Sequence, residues 1–308
     1  MNALITGIGQ CCWDVLAVVG SYPPVDSKEE VLHREAQGGG PVATALVTAA
    51  RLGCAGRFCG VIGDDLLGED IRQSLLTEEI DVSGLVVRRE AASQSAFIVI
   101  EKGSGKRTIF WQRPSGEALR PDELQPGYLD GAGFLLLDGL MMEASLQAAQ
   151  EAKRRGIPVM LDAGRVRPGM MELASWCDYL VAAERFALDL GWDGDPEHFR
   201  EEVRRLGAPV VTVTLGDRGS VTWHGGGIIR TPAFRVRAVD TTGAGDVFHG
   251  AYACGILKRW SLPRTLLFAS AAAALKCGRL GGRRGIPTFD EVVAFMTERG
   301  RPPEAGGG

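Results

Sequence analysis

No stretch of the 308-residue chain is apolar for long enough to cross a bilayer; the longest, residues 266–275, stops well short of the roughly 20 residues a spanning helix needs. The opening Met1-Asn-Ala-Leu-Ile-Thr-Gly7 has neither the basic region nor the small-residue cleavage pattern of a signal peptide, so a cytoplasmic location is expected. A surplus of charge is also missing. Lys and Arg total 34 against 38 Asp and Glu, a net charge of −4, which excludes both a polybasic nucleic-acid footprint and an acidic tail. The seven cysteines are odd in number and form no Cys-x-x-Cys pair, and His33, His198, His224 and His249 are scattered. These patterns exclude a zinc or dithiol site and leave reduced, mostly buried thiols. No internal repeat and no long linker interrupt the chain. The composition, 45% hydrophobic and 23% charged, is that of a soluble globular protein able to bury a large core. Small-molecule chemistry becomes the default.

From residue 130 onward short apolar runs alternate with helical patterns: 134–138, 143–155, 157–162, 179–181, a polar helix near 196–206, and 209–215. That alternation predicts βαβ units and a mainly parallel sheet flanked by helices. The N-terminal third differs. After a core strand at 4–9, segments 29–37 and 93–113 are extended and half-polar, the second a hairpin turning at Lys102-Gly-Ser-Gly-Lys106. Residues 42–52 and 64–80 carry helical spacing between them. The expected fold is a doubly wound α/β domain over 1–300 with a small β-sheet lid, segments about 13–37 and 86–113, and a flexible tail at 301–308.

Two familiar phosphate-binding patterns fail on inspection. Gly103-Ser-Gly-Lys106 is not a P-loop, because the first glycine of that motif would fall at Ile100. Gly7-Ile-Gly9 starts like a dinucleotide fingerprint, but its third glycine is Cys12 and no helical run follows. The informative segment is Asp240-Thr-Thr-Gly-Ala-Gly-Asp246, between a β-run at 234–239 and a helical stretch reaching Lys258. Glycines let a backbone approach a ligand closely, and a helix N-terminus attracts an anion. Asp246 by itself reads equally as a helix cap. An anion site with a carboxylate in reach nevertheless suits phosphoryl transfer, where the carboxylate accepts the nucleophile's proton.

This segment resembles the second signature of the PfkB, or ribokinase-like, carbohydrate kinases. Gln37-Gly-Gly-Gly40-Pro-Val-Ala-Thr44 and Gly60-Val-Ile-Gly63-Asp-Asp-Leu-Leu-Gly68 resemble the family's N-terminal signature. The resemblance implies a ribokinase-like fold with a lid over the sugar, ATP as phosphate donor and Mg2+ as its companion. It implies Asp246 as catalytic base and Gly243, Ala244 and Gly245 as the anion hole. Asp14, Gly39, Gly40 and Thr44 would then meet the substrate, with Ser95, Arg113 and Arg165 as further candidates. Thr214, Gly216 and Gly219 match the nucleotide loop; Glu184, Thr242 and Lys276 would serve the same site. The wall formed by 269–276 and 281–287 implies a monovalent cation, potassium. Two departures stand out. Thr44 replaces a frequent asparagine, and of the Asn-x-x-Glu segment linked to magnesium only Glu184 is left, so no protein metal ligand is assigned.

The implied reaction is transfer of the γ-phosphoryl group to a hydroxyl of a small sugar, a ketohexose or related sugar. An anionic sugar, either a sulfofructose or a keto-sugar acid, is an alternative that Arg113 or Arg165 would read. The motifs resemble sulfofructose-kinase-like members, although Gly139-Leu-Met141 follows Asp138 where those members carry an arginine. A nucleoside is another alternative, kept open by Phe97, Phe110 and Trp111. A non-catalytic sugar or nucleotide sensor on the same fold is the last. His249, one turn after Asp246, reads as a core histidine with one satisfied nitrogen. A homodimer through the lid is expected from the lid's apolar face.

Overall fold

The computed structural model describes residues 4–301; of the expected tail, residues 302–308 lie outside the described residues. The first half runs β1 (Leu4–Ile8), β2 (Cys12–Val19), β3 (Val31–Gly39), α1 (Pro41–Arg51), β4 (Ala55–Gly63), α2 (Leu66–Leu76), β5 (Asp81–Arg88), β6 (Ser95–Glu101) and β7 (Arg107–Gln112). The next elements are β8 (Ala132–Leu137), α3 (Met142–Arg155), β9 (Val159–Ala163), α4 (Met170–Ser175), β10 (Tyr179–Ala183), α5 (Glu184–Asp189) and α6 (Arg200–Leu206). The chain closes with β11 (Val210–Thr214), β12 (Ser220–His224), β13 (Gly227–Thr231), α7 (Ala244–Leu257), α8 (Leu262–Cys277) and α9 (Phe289–Glu298).

One sheet has the order β13-β12-β11-β10-β9-β8-β1-β4-β5, and a smaller one the order β3-β2-β6-β7. From β11 to β5 all neighbours pair in parallel, while β12 and β13 pair antiparallel at one edge. The strand sequences explain this arrangement. In β8, Phe134 and Leu136 enter one core while Leu135 and Leu137 enter the other. A strand covered on both faces is apolar at successive positions, so it reads as a short continuous run. Helices α1, α7, α8 and α9 close the first core, and α3 to α6 the second. Gly250 allows α7 to press on α1: a Cβ there would overlap the Ala45 carbonyl and meet Thr48 Cβ at 2.7 Å.

The small sheet is the expected lid, with Leu16, Ala96, Ile98 and Ile100 packed inward beside Leu280. On its other face Phe97 and Phe110 pair across the two strands and are exposed, while Ile109 and Trp111, opposite Ile98 and Ala96, are exposed along the edge strand. Two expectations need correction. Residues 86–88 belong to β5 at the edge of the large sheet, because Val86, Val87 and Arg88 pair with β4. The run at 234–239 is not a strand: it follows Pro232, has no neighbouring strand, and is tied instead to the end of α8 through Val239 N–H donating to Cys277 O at 2.8 Å. Among the described residues no helix is long and apolar enough to cross a membrane.

Strand β1 lies between β8 and β4, so the chain order reverses there. Such a switch point opens a crevice at the carboxyl ends of the strands.

Candidate active site

Gly243, at φ +73°, caps α7 in the left-handed region that favours glycine. The loop before it is tied to Asp240, whose Oδ1 accepts the Thr242 amide at 2.8 Å and whose Oδ2 accepts the Gly281 amide at 3.0 Å. Among the described residues the amides of Gly243, Gly245 and Asp246 have no acceptor. The result is a set of convergent N–H donors at the positive end of a helix, a ready site for phosphate oxygens.

Asp246 stands at this helix head, half-buried, and among the described residues no hydrogen bond engages its carboxylate. Burial pushes its pKa up to about 7, the Asp162 carboxylate adds to the rise, and His249 opposes it. A carboxylate poised near neutrality and free of partners can take a proton from a hydroxyl. Asp162, near the end of β9, is raised to about 8 by burial and by Asp138, with Arg167 opposing. Asp138 follows β8 and accepts the amides of Gln10 and Leu140 at 2.8 and 2.9 Å, yet burial still lifts it to about 6. His249 is buried as expected. Its Nε2 donates to the Val181 carbonyl at 3.1 Å and lies 3.4 Å from Asp162, while Nδ1 faces Gly245 without completing a bond.

Of the residues expected to meet the substrate, Asp14, Gly39 and Gly40 lie together. Asp14 on β2 is buried, accepts the Cys12 thiol at 2.9 Å and is raised by burial. Gly39 lies directly against it, since any side chain there would overlap the Asp14 carboxylate. Gly40, at φ +95°, turns the chain into α1. Thr44 requires a correction: it is 2% exposed and its hydroxyl lies 3.5 Å from Arg283 Nε, so it supports the glycine motif from behind. Ser95 begins β6, half-buried and opposite Trp13 and Gln112. Arg113 and Arg165 are both exposed, the first stacked 5.0 Å from the Trp111 ring.

At the other end of the crevice, Thr214 donates to the Ala182 carbonyl at 3.2 Å, and Gly216 and Gly219 form a tight turn closed by Leu215 N–H on Gly219 O at 2.7 Å. Glu184 joins this turn through an ion pair with Arg218. Among the described residues the buried Thr242 hydroxyl has no partner. Lys276 is the second correction. It is fully buried, and its ammonium donates to the Asp240 carbonyl at 2.7 Å, so it braces the loop from inside and offers nothing to a nucleotide.

Three participants went unrecognised in the sequence. Asp162 was not singled out; its place near the carboxyl end of a core strand is the signal that distinguishes it. Arg283 is buried and donates to Gly39 O and Ser74 Oγ, both at 2.9 Å, joining the 281–287 loop to the glycine motif. Arg107 opens β7 and donates to Thr241 Oγ1, laying the lid hairpin on the anion loop. Neither arginine carries a local signal, because both act across long sequence separations.

Residues 2–289 match the family model described as pfkB family carbohydrate kinase. The chain belongs to the pfkB family. It is 27% identical over 302 residues to the ATP-dependent ribose-1-phosphate kinase of Halopiger xanaduensis, covering 96% of this chain and 98% of the relative. It is 26% identical over 322 residues to fructokinase-1 of Zea mays, covering 95% and 97%. The crystal structure of ribokinase from Thermotoga maritima is similar with a TM-score of 0.80 at 27% identity, over 96% of this chain and 99% of that one. The protein is thus a ribokinase-like sugar kinase, a phosphotransferase acting on an alcohol group.

Within this kinase, Asp162, Asp246 and His249 offer polar atoms within 4.8 Å of one another. They do not fit a resident magnesium ion. Magnesium takes oxygen ligands, and His249 Nε2 already donates to Val181. The potassium ion expected at the wall of 269–276 and 281–287 meets an obstacle of its own, since the Asp240 oxygens facing that wall are engaged by Gly281 and Lys276.

Proposed function

We propose that this kinase transfers the γ-phosphoryl group of magnesium-bound ATP to a hydroxyl of a small neutral sugar, a ketohexose or a close relative, with Asp246 as general base. The observation that carries the reading is the unbonded Asp246 carboxylate at the head of α7, beside three amides without acceptors. Asp14 and the backbone at Gly39 and Gly40 hold sugar hydroxyls. Asp246 takes the proton of the attacking hydroxyl as the new oxygen–phosphorus bond forms and the bond to ADP breaks. The amides of Gly243, Gly245 and Asp246 receive the charge that develops on the transferred group. Thr214, Gly216 and Gly219 border the nucleotide, with magnesium arriving on its phosphates.

Neutrality of the sugar is supported by the crevice itself. Asp14 and Asp162 both add negative charge around Asp246, whereas Arg113 and Arg165 are exposed. A pocket rich in carboxylates repels an anionic sugar. Release of ADP from ATP in the presence of a panel of ketohexoses, pentoses, sugar acids, sugar phosphates and nucleosides tests the assignment. Turnover with a neutral ketohexose is expected. Turnover confined to phosphorylated or acidic sugars, or to nucleosides, overturns it, and no turnover with any acceptor favours a sensor.

Assembly belongs to the same reading. Phe97 and Phe110 are exposed on the outer face of the lid and Ile109 and Trp111 along its edge strand, each 44–54% exposed, and such apolar surface is usually covered. A second copy of the lid is the proposed cover. Sedimentation at micromolar protein should show a dimer, and a monodisperse monomer contradicts it.

A further inference from the structure

A fully buried cation behind the phosphate-binding loop is supplied by the chain. Lys276, in the last turn of α8, is 0% exposed, and so is Asp240. The ammonium donates to the Asp240 carbonyl at 2.7 Å and lies 3.7 Å from Oδ2 of the same residue. Its stem fills the space behind the 278–287 loop, where a Cβ on Gly285 would meet Lys276 Cε at 3.2 Å. Asp240 in turn fixes both loops, holding Thr242 on one side and Gly281 on the other. A carboxylate with no solvent exposure requires a countercharge, because an unpaired buried ion is strongly destabilising. The demand rises when phosphates approach the amides of Gly243 and Gly245 and bring further negative charge to the same loop. Burial draws the Lys276 amine toward neutrality, Asp240 opposes that, and Cys277, Arg107 and Asp246 are the other ionisable groups that bear on it.

We infer that Lys276 is a tethered monovalent cation: its ammonium holds Asp240 and the anion loop in their phosphate-binding form, so this kinase does not require potassium. Lys276 is a positioning residue, acting on the nucleotide only through the loop. The inference rests on the reading of 240–246 as the phosphate-binding loop, but its tests do not depend on sugar turnover. An ammonium group and a potassium ion are close in size and charge. Removing the side chain leaves a cavity lined by the Asp240 oxygens, a seat for a free ion.

The first experiment follows the melting temperature and the calorimetric affinity for ADP of the unaltered protein while sodium is exchanged for potassium. The expected result is no saturable potassium effect and an ADP affinity constant to within about two-fold. A saturable rise in melting temperature specific to potassium, or an ADP affinity about ten-fold higher in potassium, overturns the inference. The second uses Lys276→Ala. In sodium its ADP affinity should fall by about ten-fold or more, and potassium or ammonium chloride, but not tetramethylammonium chloride, should restore it. A Lys276→Ala protein that binds ADP like the parent in sodium overturns the assignment. If that variant fails to fold, the potassium exchange on the unaltered protein still decides. Loss of ADP binding by the unaltered protein under all salts would count against the kinase reading, whereas a potassium-specific melting shift counts against Lys276 alone.

Discussion

Replacing Asp162 by asparagine should move the acid limb of the reaction without removing the base. Asp162 and Asp246 place carboxylate oxygens within 4.8 Å of each other. At that separation and an effective dielectric of about 20, two like charges repel by roughly 3.5 kcal/mol, or about two and a half pH units. Asp246 is half-buried, and water at the opening weakens the coupling, so a displacement of about one unit is expected. The two carboxyls titrate as a pair, so the limb belongs to the pair rather than to Asp246 alone. In the unaltered enzyme kcat/KM should fall as pH drops through about 7, because the base is then protonated. In Asp162→Asn the same limb should lie about one unit lower, leaving the variant active near pH 6, where the parent fades. Stability gives an independent readout. A carboxyl whose folded pKa is raised stabilises the protein below its unfolded value, and that stability is lost as pH rises through the folded value, here about 8. Asp162→Asn should therefore melt higher than the parent at about pH 8.5 and close to it near pH 5. Profiles of kcat/KM against pH, paired with melting curves at the two pH values, supply the test. An unmoved limb together with an unmoved alkaline melting temperature would refute the proposed coupling.

Arg107→Ala should raise KM for ATP by about ten-fold, the worth of one charge-assisted bond near the phosphates, while the melting temperature stays within about a degree because the residue is exposed on an edge strand; an unchanged KM would leave Arg107 as a lid fastener only. Arg113→Ala should leave KM for a neutral ketohexose within about two-fold, since its guanidinium rests on Trp111, and a larger rise would bring it into the sugar site. Gly250→Val should cost roughly 1–3 kcal/mol or prevent folding, because the added carbons meet Ala45 and Thr48 on α1; a chemical denaturation midpoint equal to the parent's would contradict the close packing of α1 and α7.

Much of the fold was legible because strands buried on both faces must be apolar at successive positions, as at 134–138 and 209–215. The mistaken strand at 234–239 shows the limit of that signal. Its alternation of apolar residues with Arg235 and Arg237 satisfies a period of two, but a strand also needs a neighbour, and β13 already ends the sheet on that side. The anion loop was legible for a local reason, since glycine, threonine and aspartate act there within seven residues. Lys276 and Thr44 were misread because a motif reveals proximity to a site and not the direction of a side chain. Both point into the protein, toward Asp240 and Arg283. Arg283 was invisible because its partners, Gly39 and Ser74, lie more than two hundred residues away in sequence.

The central claim is that Asp246 accepts the proton of a sugar hydroxyl, and the most direct measurement compares Asp246→Asn with the parent in turnover and in ATP affinity. Asparagine keeps the shape and the helix head but cannot take the proton. Turnover should fall by about 10²–10⁴-fold, while calorimetric ATP affinity stays within about two-fold. Undiminished turnover in Asp246→Asn would contradict the account and remove the carboxylate from the mechanism.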